Sequence, residues 1–245
     1  MNGEKNKCLV IGAAGGIGRS LVARLAHEGW QLILAGRNES TLMETAQTVG
    51  DNLTDISVAD AHNFDQVDSI FSQYPGITGA VNLAGSILLK PAHATSTEDF
   101  DQTIDQNIRT AFSLVRAAGK NMRKAGGSVV LMSSCAAQIG LPNHETISAA
   151  KAAVEGLTRS AAATYAPNDL RFNAVAPGLT KTPLSERLTS NEASRKASLA
   201  MHPLGRLGRP DDVASAIAFL LEPANTWITG QVFGIDGGVS QVKGR

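Results

Sequence analysis

The sequence predicts a single α/β domain built on a doubly wound, mostly parallel seven-stranded sheet flanked by helices. Two patterns predict it: short apolar runs alternate with longer amphipathic ones, and no linker, internal repeat or low-complexity tract interrupts that alternation. Size agrees, since 245 residues with 43% hydrophobic content suit one sizeable core better than two small ones.

Taken in order, Lys7–Ile11 reads as the first strand because Cys8, Leu9, Val10 and Ile11 form an unbroken apolar run. Ile17–Glu28 follows as a helix, then a strand at Gln31–Ala35 and a helix at Glu39–Val49. Leu53–Val58 and Gly79–Leu83 are the next strands, separated by a helix at Asn63–Gln73. A long helix is expected over Glu98–Lys124, a strand at Ser128–Met132 and a second long helix over Glu145–Tyr165. Leu170–Val175 and Gln231–Ile235 complete the strands. Between them Asp211–Leu221 is helical, with Pro210 in the first turn and Asp211 and Asp212 complementing the N-terminal dipole. Only Thr180–Pro203 lacks a clear period. Late in a doubly wound fold, such a polar insertion is expected to lie over the carboxyl ends of the strands as a substrate lid; the alternative is an ordinary surface excursion.

Composition excludes several classes. Lys and Arg total 22 against 22 Asp and Glu, so no net field favours nucleic acid or an anionic membrane. Two cysteines, Cys8 and Cys135, are too few for a disulfide framework or a zinc ribbon, and both read as free thiols of a cytoplasmic protein. The apolar run near Met1 is too short for a signal-peptide core, and the uncharged stretch from Ala125 to Asn143 is too polar to span a membrane. Ser134 lies outside any Gly-x-Ser-x-Gly elbow, and Ser148 stands where a zinc-binding H-E-x-x-H beginning at His144 needs its second histidine. No metal site is expected. Cys135 reads as a small packing residue.

Directly after the first strand comes Gly12-Ala13-Ala14-Gly15-Gly16-Ile17-Gly18, and then a helix. Glycines there allow a tight turn and let backbone amides approach a pyrophosphate at the positive end of the helix. The spacing of Gly12, Gly16 and Gly18 resembles the Gly-x-x-x-Gly-x-Gly of the short-chain dehydrogenase/reductase family, which has a Rossmann-type fold. Other segments are similar in the same order. Asp60-Ala61 resembles the family's adenine-binding position, and Val81-Asn82-Leu83-Ala84-Gly85 its Asn-Asn-Ala-Gly segment. Asn107, Ser134 and Lys151 match its helix asparagine, active-site serine and active-site lysine. Asn173 through Pro177-Gly178, and Thr229-Gly230-Gln231 through Asp236-Gly237-Gly238, match its later signatures. The resemblance implies a dinucleotide held by Gly12, Ala14, Gly15, Gly16, Ile17, Gly18, Asp60, Ala61, Asn82, Ala84, Gly85, Lys151, Pro177, Gly178, Thr180 and Thr182. It also implies a small-molecule substrate and a homotetramer in which the two long helices meet neighbours.

The end of the second strand bears on which dinucleotide. NAD-specific sites place a carboxylate there, on the ribose 2′-hydroxyl. Here stand Gly36 and Arg37, which leave room for a 2′-phosphate and offer it a forked donor, so NADP(H) is expected. The alternative is that Arg37 is a solvated residue opening the next helix.

In the resembling family a tyrosine transfers the proton at the substrate oxygen, four residues before the lysine. That position holds Ile147, which has no ionisable proton. Tyr74 and Tyr165 fall in other segments. Two explanations stand open. His144, seven residues before Lys151 and on the same helical face, can serve as a substitute acid; otherwise it is a polar residue near the helix entrance. Alternatively the site binds NADP(H) without turnover, as a sensor or structural partner. The Ile147 side chain is expected to face a cleft.

Overall fold

The protein is described by a computed structural model covering residues 6–243; the first five residues, part of the stretch read above as lacking a signal-peptide core, and the last two lie outside it. Seven strands form one sheet: β1 (Lys7–Ile11), β2 (Gln31–Gly36), β3 (Leu53–Val58), β4 (Ile77–Asn82), β5 (Gly127–Met132), β6 (Leu170–Pro177) and β7 (Val232–Ile235). Their order is β3-β2-β1-β4-β5-β6-β7 and every pairing is parallel. A parallel sheet requires crossovers, and the crossing helices cover both faces. The strands therefore read as continuous apolar runs whose alternate residues enter different cores.

On one face Leu9, Ile11, Ile33, Val129, Leu131 and Phe172 pack with residues of α3 (Phe64–Gln73), α5 (Thr110–Asn121) and α6 (Glu145–Tyr165). On the other, Cys8, Val10, Leu32, Leu34, Val130 and Val175 meet α1 (Gly16–His27) and α9 (Pro210–Leu221). The remaining helices are α2 (Glu39–Ala46), α4 (Thr97–Ile104), α7 (Glu186–Ser190) and α8 (Glu192–Met201). Among the described residues no helix is long and apolar enough to cross a membrane, and no cluster of His, Cys, Asp and Glu is placed to hold a metal.

Three expectations change in detail. The fourth strand starts at Ile77 rather than Gly79. The long helix expected over Glu98–Lys124 is two helices, α4 and α5, joined by a π-helical turn at Asp105–Arg109. The cause is Asn107, whose Nδ2 donates to the carbonyl of Thr103 at 2.9 Å and so competes for the acceptor that its own amide would use in an α-helix. Finally, the segment after Thr180 has structure of its own, a single turn at Pro183–Ser185 followed by α7 and α8. Helix α8 buries none of its residues.

Candidate active site

Between β1 and β4 the winding of the sheet reverses, which opens a crevice at their carboxyl ends. The glycine turn fills its floor. Gly12 has φ +81°, and a Cβ there would lie 3.1 Å from the amide nitrogen of Ala84 and the carbonyl carbon of Leu83. Its amide donates to the Ala35 carbonyl at 2.8 Å, tying the turn to the end of β2. A Cβ on Gly18 would sit 2.3 Å from the Gly12 carbonyl oxygen, so α1 is seated directly on the turn. Helix α1 is capped by Gly15, with no side-chain cap bond and no acidic residue in its first turn, leaving its leading amides for an external anion. Ala14 contributes its carbonyl, which accepts from Arg19 Nε at 3.0 Å. Above Gly16 lies Thr182: a Cβ on that glycine would be 2.9 Å from Thr182 Cβ and Cγ2.

Arg37, exposed just beyond β2, enters no ion pair among the described residues, and its charge reaches Asp60. Burial raises the Asp60 pKa, but bonds from His62 and the charge of Arg37 outweigh it and hold the carboxyl below its ordinary range. Asp60 Oδ1 accepts from the His62 amide at 3.0 Å and faces His62 Nδ1 at 2.5 Å. Sequence reading overlooked His62; its position two residues after an aspartate in a turn was the available signal. Ala61 is buried beside this pair.

Asn82, at the end of β4, is buried and works on both sides of its amide. Oδ1 accepts from the Ala84 amide at 3.0 Å, while Nδ2 donates to Thr110 Oγ1 at 3.1 Å. These bonds fix the path of Ala84 and Gly85. A Cβ placed on Gly85 would be 2.9 Å from Asn107 Oδ1 and 3.3 Å from Lys151 Nζ, so these two side chains converge in front of Gly85. Asn107 is held by Ser86, whose amide donates to Oδ1 at 3.3 Å and whose hydroxyl accepts from Nδ2 at 3.0 Å.

Lys151 projects from α6 into this space, and its Nζ donates to the Met132 carbonyl at 2.9 Å. Burial without a pairing carboxylate pulls its pKa down to about 8. Ser134 follows β5 and accepts from the Ala136 amide at 3.2 Å. The frame around them is complete. Ser133 Oγ donates to Glu155 Oε1 at 2.9 Å, Gln138 Nε2 donates to the same oxygen at 3.2 Å, and Ser148 Oγ donates to the Ala136 carbonyl at 2.6 Å.

Ile147 lies one turn before Lys151 on α6, at 5% exposure. The expectation that it faces an open cleft is therefore corrected: the side chain is enclosed, although it belongs to neither main core cluster. His144 is the cap residue of α6, with φ −111° and ψ 10°, so it stands at the entrance of the helix, and its carbonyl accepts from the Ser148 amide at 2.7 Å. The ring's Nδ1 lies 2.7 Å from the Pro142 carbonyl, an acceptor, so that nitrogen carries a hydrogen and donates it there. Cys135 is buried and its thiol is pushed up to about 11, chiefly by that burial, in keeping with a packing role.

Pro177 ends β6, and the Gly178 amide donates to the Ile235 carbonyl at 3.1 Å. Gly178 is hemmed in by residues that sequence reading did not single out for it: a Cβ there would lie 2.7 Å from His202 Nε2 and 3.0 Å from Asp236 Cα. Thr180 Oγ1 donates to the Gly178 carbonyl at 3.1 Å, and Thr182 caps the turn at Pro183–Ser185.

Residues 12–240 match a family model described as enoyl-(acyl carrier protein) reductase. The chain is 36% identical over 236 residues to a 3-oxoacyl-[acyl-carrier-protein] reductase of Rickettsia felis, covering 96% of each protein. A solved short-chain dehydrogenase/reductase family protein superposes with a TM-score of 0.89 at 32% identity, covering 99% of this chain and 100% of the other. ElxO, solved with NADP bound and as a tyrosine-to-phenylalanine variant with NADPH bound, gives a TM-score of 0.89 at 30% identity over 96% of this chain and 99% of its own. The match to the family model, the identity to whole-length relatives and the shared seven-stranded parallel sheet agree, and the chain belongs to the short-chain dehydrogenase/reductase family of oxidoreductases.

Proposed function

We propose that the protein is an NADP(H)-dependent oxidoreductase acting on a small carbonyl, alcohol or enone, with a proton donor other than the family's tyrosine. The observation that carries this reading is the convergence of Lys151 and Asn107 before Gly85, beside a helix start with no side-chain cap bond. NADP(H), when bound, supplies or accepts the hydride. The leading amides of α1 hold the pyrophosphate, Arg37 grips the 2′-phosphate and Asp60 with Ala61 receives the adenine. Lys151 holds the nicotinamide ribose through its two N–H bonds not spent on Met132. Ser134 orients the substrate oxygen, Pro177-Gly178 with Thr180 and Thr182 closes one wall, and residues 180–203 form the lid. Exposed Phe100 on α4 and Phe112 on α5 support a homotetramer assembled through these helices. The free thiols Cys8 and Cys135 support a cytoplasmic location.

A second reading, a catalytically silent NADP(H)-binding protein, is favoured by Ile147 itself. ElxO holds NADPH in a variant that has lost a tyrosine, so cofactor binding there does not need that phenol. Purified protein tested for NADPH oxidation against ketones, quinones and enones separates the two. Turnover supports the oxidoreductase; tight NADPH binding with none supports the silent protein.

A further inference from the structure

We propose that His62 is a positioning residue of the nucleotide site: it clamps one oxygen of the Asp60 carboxylate, so that the other reads the exocyclic amino group of adenine and rejects an oxo-purine. This rests on the NADP(H) site proposed above and names how that site tells one purine from another.

The location follows from how the strand ends are tied together. The Gly12 amide of the glycine turn donates to the Ala35 carbonyl at 2.8 Å, and the Ala59 amide donates to the Gly36 carbonyl at 2.9 Å. Ala35 and Gly36 are thus bonded to the turn on one side and to the end of β3 on the other, with Arg37 directly beyond them. A dinucleotide with its pyrophosphate at α1 and its 2′-phosphate at Arg37 therefore carries its base towards the residues that follow β3, among them Asp60, Ala61 and His62.

Every polar group of Asp60 but one is already engaged. Its amide donates to Gln66 Oε1 at 2.7 Å, and its carbonyl accepts from the Asn63 amide at 3.0 Å. Oδ1 accepts twice from His62, from the amide at 3.0 Å and from Nδ1 at 2.5 Å. Oδ2 accepts no bond among the described residues, and the side chain is 46% exposed, open to a ligand. The His62 ring is itself held. Its Nε2 is buried without a partner among the described residues, so the ring is packed in place rather than turning in solvent.

The chemistry of the free oxygen selects the base. Burial raises the Asp60 pKa, but bonds from His62 and the charge of Arg37 outweigh it, so the group is ionised and only accepts. Adenine presents an amino group at C6, which donates. Hypoxanthine and guanine present a carbonyl oxygen there, which a carboxylate repels. Because His62 occupies Oδ1 and fixes the plane of the carboxylate, the one acceptor left is aimed before the nucleotide arrives. A carboxylate released from the ring turns about its broad terminal torsion and meets either purine through water.

Calorimetry on the intact protein tests this without turnover, using NADP⁺ and nicotinamide hypoxanthine dinucleotide phosphate, which differ in the purine alone. We expect NADP⁺ to bind roughly 10–100 times more tightly, the range of a charge-assisted hydrogen bond. His62→Ala should bring that ratio to within about threefold. The preference of the same variant for NADP⁺ over NAD⁺, which is set at Arg37, should stay within about twofold of its original value. His62→Asn, which returns an amide donor near the place of the ring Nδ1, should keep the purine preference. Equal affinity for the two purines in the unmutated protein overturns the proposal. So does a preference that survives His62→Ala, or an equal loss of affinity for both nucleotides, which would make His62 a packing residue only. Failure to bind any of the three nucleotides instead removes the dinucleotide site and the proposal together.

Discussion

The two ends of the crevice are built from different materials. Around the glycine turn the structure relies on backbone: a positive φ at Gly12, free leading amides on α1 and contacts too close for any side chain at Gly18. Around α6 it relies on side chains, namely Asn107, Lys151, Ser134 and a brace of Ser133, Gln138, Glu155 and Ser148. Backbone geometry survives most substitutions, because any residue supplies an amide. A site of side chains can lose one member and keep its frame; at the α6 end Ile147 stands buried one turn before Lys151, beside that brace. If cofactor recognition rests on the first end and proton transfer on the second, the two should be separable by substitution.

The strongest way to break that contrast is to refill the vacated role. Ile147→Tyr puts a phenol one helical turn from Lys151, and NADPH-dependent carbonyl reduction should rise by roughly 10²–10⁴. Because Ile147 is only 5% exposed, the larger ring should also cost about 1–3 kcal/mol in overpacking, read from thermal unfolding. A folded, NADPH-binding Ile147→Tyr protein that reduces nothing would show that more than the phenol is missing.

Removing the buried charge sharpens the contrast from the other side. Lys151 has a native pKa near 8 and an ordinary value of 10.5, so between these pH values the unfolded chain binds more protons than the native one. Stability should therefore rise with pH across that window, and below it the buried ammonium should weaken the fold by an amount on the order of 3 kcal/mol. Lys151→Met should raise the melting temperature at pH 7 and erase the rise above pH 8. A lower melting temperature at pH 7 would mean that Lys151 stabilises the fold.

At the backbone-built end the expected effect is smaller and falls on selectivity. Arg37→Ala should remove about 1.5–3 kcal/mol of NADPH binding, tenfold or more, and leave NADH affinity nearly unchanged. Equal affinity for both nucleotides before mutation would remove Arg37 from the 2′-phosphate. The smallest effect is expected at His144. Its ring is tied to the Pro142 carbonyl and makes no cap bond to α6, so His144→Ala should change stability by no more than about 0.5 kcal/mol. It should also leave NADPH oxidation in place; abolished turnover would make His144 the acid.

Most of the sheet was legible in the sequence because strands buried on both faces read as unbroken apolar runs, as Cys8–Ile11 and Leu32–Ala35 do. The start of β4 was hidden by composition: Ile77 is cut off from the apolar run Ala80–Val81 by polar Thr78 and by Gly79, where Trp30 packs 3.0 Å from the position of an added Cβ. The π-turn depends on one side chain competing for a carbonyl four residues back, which leaves no periodic trace. Motif spacing located Lys151 and Asn107, but their convergence before Gly85 and the enclosure of Ile147 arise from the packing of β4, β5 and α6. His202 beside Gly178 was invisible for the same reason, since only the folded chain brings them together.

The contact of Thr182 with Gly16 reaches beyond architecture to the order of events during a cycle. Thr182 rests on Gly16 of the glycine turn, so the start of the 180–203 segment and a nucleotide held at that turn would be immediate neighbours. If the nucleotide binds there before the substrate and leaves after it, steady-state inhibition by NADP⁺ should be competitive against NADPH and noncompetitive against the carbonyl partner.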